Sequence, residues 1–406
     1  MNEEKIIKRL NQFNFDICSQ EIEMRCELPP IMKKYAYYKQ NKEFIEPFIC
    51  NVEEKYSIDK IEENLKLIIE RQSLMRSIVT LEDDELKILK YNKKLGIPRI
   101  RLGKEERLED IIYLLSKYQM KIDKQKNAMY SIVLIEKSNK IYVCAVFSHM
   151  IFDGGFPLSR YINDVERMSE NTIKNFFCYL HNLPLDQKSD FTKYKEIKKI
   201  MIREYLSEEV MESMMEVEVK NFYKYKKISI EEFWVLVIGK SLFNIFGNEI
   251  ESIPINILTN GRTFADFVEF KDFGDFHDEI ILLCDFKESF NKIINLYREY
   301  RKKTYLNSKN YALSFSKDDE TLSFIEPIIL LIAVDTKAST EHQILRKSLP
   351  KLSRQYVLSI KILVSADLKR YKIFFRYSVK LKDRIEKLKD SIGREVSNIV
   401  EWIEMD

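Results

Sequence analysis

Glycine and proline are scarce, with nine of each in 406 residues. That excludes loose tethers, so separate parts of the chain should be joined by structured segments. Cysteine is confined to six scattered positions (Cys18, Cys26, Cys50, Cys144, Cys178, Cys284) with no CxxC pair. Cys178 and His181 make one CxxH, but no second ligand pair lies nearby to complete a zinc site. The six therefore read as reduced and mostly buried. No run of about 18 apolar residues exists to span a membrane, and the charged start MNEEKIIKRLNQF does not suit a signal peptide. The expectation is a cytoplasmic protein without membrane contact. An excess of one charge is also missing: 67 Lys and Arg face 64 Asp and Glu, and the resulting +3 is too small and too evenly spread to point to nucleic acid. Nor is there an internal repeat or low-complexity block. The lysine-rich stretches Lys121–Asn127 and Lys302–Asn310 read as solvated surface.

What the chain does have is the composition of a globular protein, 45% hydrophobic and 32% charged. Its length exceeds one ordinary core and suggests two lobes of about 150–200 residues each. The Pro184-containing segment HNLPLDQKSD places the boundary, giving an N-terminal lobe over 1–185 and a C-terminal lobe over 186–406.

Helices and strands alternate. Ser57–Glu70 sets Ile58, Ile61, Leu65, Ile68 and Ile69 at helical spacing, and RQSLMRSIVTLE leads from it into a strand. ELKILKYN and IYVCAVFS read as strands. Beyond the second, Leu158, Tyr161, Ile162, Val165 and Met168 mark a helix face. Ser229–Gly247 carries a capping box (Ser229, Glu232), is apolar nearly all round and ends on a C-cap glycine, which predicts a deeply buried helix. SIPINILTN and DEIILLCDF are strands, YVLSIKILVSADLKRYKIFFRYS is a strand pair, and Leu381 to Ile399 at helical spacing form a closing helix. Each half reads as a mixed sheet with packed helices, an α/β (α+β) class.

The stretch with most chemical content is Ser148–Gly155, SHMIFDGG, at the end of the apolar strand IYVCAVFS. A histidine there is followed four residues on by Asp153, and Gly154 and Gly155 permit a tight turn into a helix. An imidazole with an ordinary pKa near 6.5 can take a proton from an attacking amine, alcohol or thiol. A hydrogen-bonded surface or core histidine is the competing reading, and HxxxDG by itself does not choose. A buried Asp153 would require a cation; Arg262 in TNGR and Arg71 and Arg76 in RQSLMR are the candidates, each of which can equally be a solvated surface charge.

Taken together and in order, these segments resemble a condensation domain of nonribosomal peptide synthetases, within the chloramphenicol-acetyltransferase-like, CoA-dependent acyltransferase superfamily. RQSLMRSIV is similar to the family's RHxxLRxxF segment and FSHMIFDGG to its HHxxxDG core, with Ser148 in place of the first histidine. FWVLVIGKSLFNIFGNEIESIPINILTNGR resembles the buried helix, turn and strand that end in a GR pair. DFGDFHDEIILLCDF falls where the family has GxFVN and a strand, and LSIKILVSADLKRYKIFFRYSVKLKDRIEKL resembles its last strand pair and closing helix. The departures are Ser148, the FVN portion reading Phe276, His277 and Asp278, and the absence of an RDxSRNPL-like segment.

The resemblance implies two acetyltransferase-like lobes arranged as a V around a central tunnel, with His149 near its middle. It implies a free-standing, monomeric condensation enzyme that joins an acyl thioester on the phosphopantetheine arm of a carrier protein to an amine. No metal or bound cofactor is then needed. His149 would orient the nucleophile and take its proton, the Gly154 N–H would face the oxyanion, and an Asp153–Arg262 pair would hold the turn. Ser148, Gly155, Arg71 and Arg76 would have supporting places. Three alternatives stand beside it: an acyltransferase using free CoA thioesters with an alcohol or amine acceptor, a non-catalytic module that recruits carriers, and a trimeric dihydrolipoamide-type acyltransferase.

Overall fold

The alternation of apolar faces along the chain builds thirteen strands and seven α-helices among the described residues of a computed structural model. Those residues are 3–28, 32, 45–52, 56–80, 83–121, 126–152, 162, 165, 191–219, 228–260, 277–302, 326–334, 356–365 and 367–405. The chain divides into two compact units, one of Met1–Leu183, Asn260–His277 and Ala338–Leu352 and the other of Pro184–Thr259, Asp278–Lys337 and Ser353–Asp406.

The first unit opens with α1 (Glu3–Cys18), which the sequence reading passed over as a charged terminus. Its apolar residues Ile6, Leu10, Phe13 and Ile17 fall three or four apart and are buried as one stripe. Next come β1 (Ile22–Glu27), β2 (Ile45–Asn51) and α2 (Ile58–Arg71), in which Ser57 caps the first turn by accepting the Lys60 N–H. A single 3-10 turn (Ser73–Arg76) leads into β3 (Ser77–Thr80), and β4 (Glu85–Leu89), β5 (Arg99–Arg101), α3 (Leu108–Lys121), β6 (Tyr130–Lys137) and β7 (Lys140–Ser148) complete the unit. The strands form a three-stranded sheet in the order β1-β4-β3 and a four-stranded sheet in the order β2-β7-β6-β5. β7 lies inside the latter, antiparallel to both neighbours. On one face of that sheet Val133, Ile135, Cys144 and Val146 pack with Ile111, Ile112 and Leu115 of α3 and with Leu10 of α1.

A hydrogen-bond network anchors those helices to the start of β6. Asn14 donates to the Tyr118 hydroxyl and accepts the Ala128 N–H, Gln119 donates to the Ala128 carbonyl, and Ser131 donates to Gln119 Oε1. Every partner in the chain is buried or nearly so, where an unmade bond would cost about 1–3 kcal/mol.

The second unit contains α4 (Thr192–Tyr205), β8 (Val210–Glu218), α5 (Ile230–Phe246), β9 (Ile253–Asn260), β10 (His277–Cys284), α6 (Phe290–Lys302), β11 (Glu326–Val334), β12 (Tyr356–Val364), β13 (Arg370–Ser378) and α7 (Lys382–Met405). One six-stranded sheet runs β10-β9-β11-β12-β13-β8. Its centre is parallel (β9, β11, β12) and its β12-β13-β8 side antiparallel. α5 and α7 pack with one face of it around Trp234, Leu236, Ile360, Ile362, Ile392 and Ile399. The capping box at Ser229 and Glu232 is present as the sequence indicates. Gly247 does stand at the C-cap, but in the right-handed region (φ −63°), so its need for glycine is steric rather than conformational. A Cβ there would sit 2.6 Å from the Phe243 carbonyl oxygen and 2.7 Å from its ring.

Candidate functional site around His149

β7 reads KIYVCAVFS, and the strand alternation sends Cys144, Val146 and Ser148 to the α3 side and Ala145 and Phe147 to the other. Pairing on both edges fixes its end: Ser148 lies opposite Ile45 of β2, and its N–H donates to the Met129 carbonyl at 2.7 Å. The chain then turns, with the Ile151 N–H donating to the Ser148 carbonyl at 3.1 Å and the Met150 N–H approaching Ser148 Oγ at 3.4 Å. Ser148 Oγ thus stands inside the turn as a local acceptor.

Aromatic rings support this turn from below. Phe147 is stacked on Tyr130 at 5.7 Å, Phe48 and Phe152 each stand 5.0 Å from their nearest ring partner in the cluster, and Phe13 meets Tyr130 edge-on at 5.8 Å. Such pairs contribute about 0.5–1.5 kcal/mol each beyond their buried area. Phe152 immediately precedes Asp153, so the cluster holds both sides of the histidine. Within the turn Met150, Ile151 and Phe152 are at most 1% exposed, whereas His149 keeps 9%. The histidine is therefore the least buried of the five residues of SHMIF while itself largely enclosed, so the surface-histidine reading does not apply and the core-histidine reading stands beside the catalytic one.

Two polar side chains of α2 bind the segment that follows. Asn64 donates to the Ile162 carbonyl at 2.9 Å and Arg71 to the Val165 carbonyl at 2.5 Å. Arg71 thus ties Val165 to α2 through a backbone carbonyl. Arg76 is buried and does something else: it donates to the carbonyls of Ile69 and Leu89 and pairs with Glu23 at 2.6 Å. It joins α2, β4 and β1. Asp153, Gly154, Gly155 and Arg262 lie outside the described residues, as do Cys178, His181 and the face predicted at Leu158, Tyr161 and Met168. Of the family-like FHD segment, His277 and Asp278 begin β10.

Nucleophilic cysteine chemistry finds no support nearby. The five described cysteines are free thiols, and burial pushes Cys18 and Cys284 up to about 12 and raises Cys144 further. Among the described residues no group of three His, Cys, Asp or Glu side chains is placed to hold a metal, and no helix is long and apolar enough to cross a membrane. Sequence reading missed the ring cluster and Asn64. The rings come from four separate segments, and nothing local to Phe13 or Phe48 links them to the motif.

No protein-family model matches the chain, and no curated protein matches it. Solved structures do match in fold. The epimerization domain from the third module of tyrocidine synthetase B is 13% identical with a TM-score of 0.61, covering 94% of this chain and 98% of that one. The cyclization-docking bidomain of the EpoB nonribosomal peptide synthetase from Sorangium cellulosum is 12% identical with a TM-score of 0.54, covering 97% and 90%. A structure described as the basis for condensation domain-mediated chain release from the enacyloxin polyketide synthase is 10% identical with a TM-score of 0.55, covering 97% and 89%. The chain thus has the mixed α/β fold of the condensation and epimerization domains of peptide synthetases.

Proposed function

We propose that this protein is an acyltransferase of the condensation type, joining an acyl group held as a thioester on a carrier protein's phosphopantetheine arm to an amine. The observation that carries the reading is the placement of His149. It stands at the end of an interior strand, on a turn braced by aromatic rings, and is the least buried of the described residues of that turn. The fold alone would not select this reaction, because the similar structures include domains named for epimerization and cyclization as well as condensation. Selection rests on SHMIFDGG, which keeps the second histidine, the aspartate and the glycine of the HHxxxDG pattern.

In the proposed step the amine lone pair attacks the thioester carbonyl carbon and forms the C–N bond. The His149 imidazole receives the amine proton as the tetrahedral intermediate forms or collapses. The C–S bond breaks, the sulfur leaves with its electron pair, and the imidazolium proton neutralises the thiolate. Juxtaposition of donor and acceptor supplies much of the acceleration, because an activated thioester already carries the driving force. The Gly154 N–H is assigned to the oxyanion, and Asp153 with Arg262 to holding the turn. Arg71 supports the same segment through Val165. Ser148 is assigned to the turn rather than to substrate.

Mass spectrometry of products from a panel of acyl-loaded carriers and amines, run beside the matching acyl-CoA thioesters, tests this. Amide from the loaded carrier is expected. Product from acyl-CoA alone moves the donor assignment to free CoA thioesters, and no product from either, with carrier binding intact in His149→Ala, replaces catalysis by recruitment.

A further inference from the structure

We infer that the first unit carries a second site, remote from His149, that binds an organic phosphate of nucleotide size. A half-open cavity of about 490 Å³ lies between α1 and β5, a volume in the range of small-molecule sites, roughly 300–1,000 Å³. Lys5, Arg9, Arg99 and Arg101 line it together with Glu106 and Glu136. The placement follows from periodicity. Lys5 and Arg9 are one helical turn apart on α1, and Arg99 and Arg101 are two apart on β5, so each pair shares a face. Ile6, Ile100 and Leu102 form its floor, where they join the core beneath.

The guanidinium groups are held in place without being used up. Arg9 donates one N–H to the Arg99 carbonyl, and among the described residues no carboxylate lies within ion-pairing distance of it. Arg101 turns Nε and Nη2 to Glu136 at 3.0 and 2.8 Å and retains its other nitrogen. Arg99 is neutralised from behind by Asp59 and Glu62, each at 2.6 Å. Glu106 accepts the Gly103 N–H at 2.7 Å. The uncommitted charge therefore concentrates at Arg9, with Arg101 across the cleft, and guanidinium forks suit phosphate oxygens. The volume of the cavity, larger than a bare phosphate needs, asks for an organic body on it.

This cleft is not an approach to His149. Arg101 lies opposite Glu136, which lies opposite Ile141, at the other end of β7 from Ser148. Seven residues at about 3.3 Å each put the two ends roughly 23 Å apart.

Equilibrium binding of ATP, CoA, pyrophosphate and adenosine to the full chain tests the site. ATP or CoA should bind, adenosine should not, and the stronger of the first two identifies the body. Arg9→Ala and Arg101→Ala, both at exposed positions, should each weaken binding about tenfold, the cost of one charge-assisted hydrogen bond, with unchanged thermal midpoints. His149→Ala should bind as the native chain does, which separates this site from the proposed reaction. The assignment is overturned if neither ATP nor CoA binds at millimolar concentration, if adenosine binds as well as ATP, if pyrophosphate alone matches ATP, or if both arginine variants bind normally.

Discussion

The two units solve the same packing problem in different ways. The second gathers its strands into one six-stranded sheet, lays α5 and α7 on a continuous core, and buries its charges as matched pairs: Lys198 with Glu326 at 3.0 Å, both side chains at most 3% exposed. The first splits its strands between two smaller sheets, and Arg76 bridges from α2 to the smaller one. It is this divided unit that presents the histidine, at the end of a strand gripped on both edges and capped by rings. One unit is built around an uninterrupted core, the other around two smaller sheets, and the proposed chemistry is assigned to the latter.

Substitutions can break or sharpen that contrast. The largest stability loss is expected at Lys198→Met, which removes the cation beside buried Glu326 and should cost about 3–5 kcal/mol; the double variant with Glu326→Leu should recover most of it. Urea denaturation reads both. A smaller loss is expected at Arg76→Ala, about 2–3 kcal/mol, because two buried carbonyls lose their donor. Hydrogen exchange should show it as opening of β3 and β4 with the six-stranded sheet still protected; equal loss of protection in both units would erase the distinction. Gly239→Ala should destabilise by about 1–3 kcal/mol despite the better helix propensity of alanine. The added Cβ would lie 1.9 Å from the Phe286 ring, and the unfolding midpoint measures its effect. The smallest effect is expected at Tyr130→Phe. The hydroxyl is fully buried with no hydrogen-bond partner among the described residues, and desolvation holds its pKa well above the ordinary value. Its removal should leave stability within about 0.5 kcal/mol while keeping the ring stack. A large loss there would mean that the cluster depends on the hydroxyl.

Much of this was legible from residues close together in sequence. α2 announces itself through apolar spacing, α5 through its cap at Ser229 and a nearly all-apolar run, and β7 through an apolar run that ends at Ser148. Interactions between distant segments were not legible. β11 sits between β9 and β12, an order that no local pattern records. The stripe of α1 was hidden by the charges between its apolar residues. Arg76 looked like a candidate counter-ion for Asp153, yet its ion pair is with Glu23, 53 residues upstream. At the candidate site, the sequence singled out His149 and its turn, whereas the five rings that brace the turn are scattered from Phe13 to Phe152.

The most direct test of His149 as the acid–base group is the rate of amide formation from an acyl-loaded carrier by the native chain and by His149→Ala, with unfolding midpoints measured on both. The account expects the substitution to slow product formation by about 10²–10⁴-fold with the fold retained. Equal rates from the two proteins would contradict it.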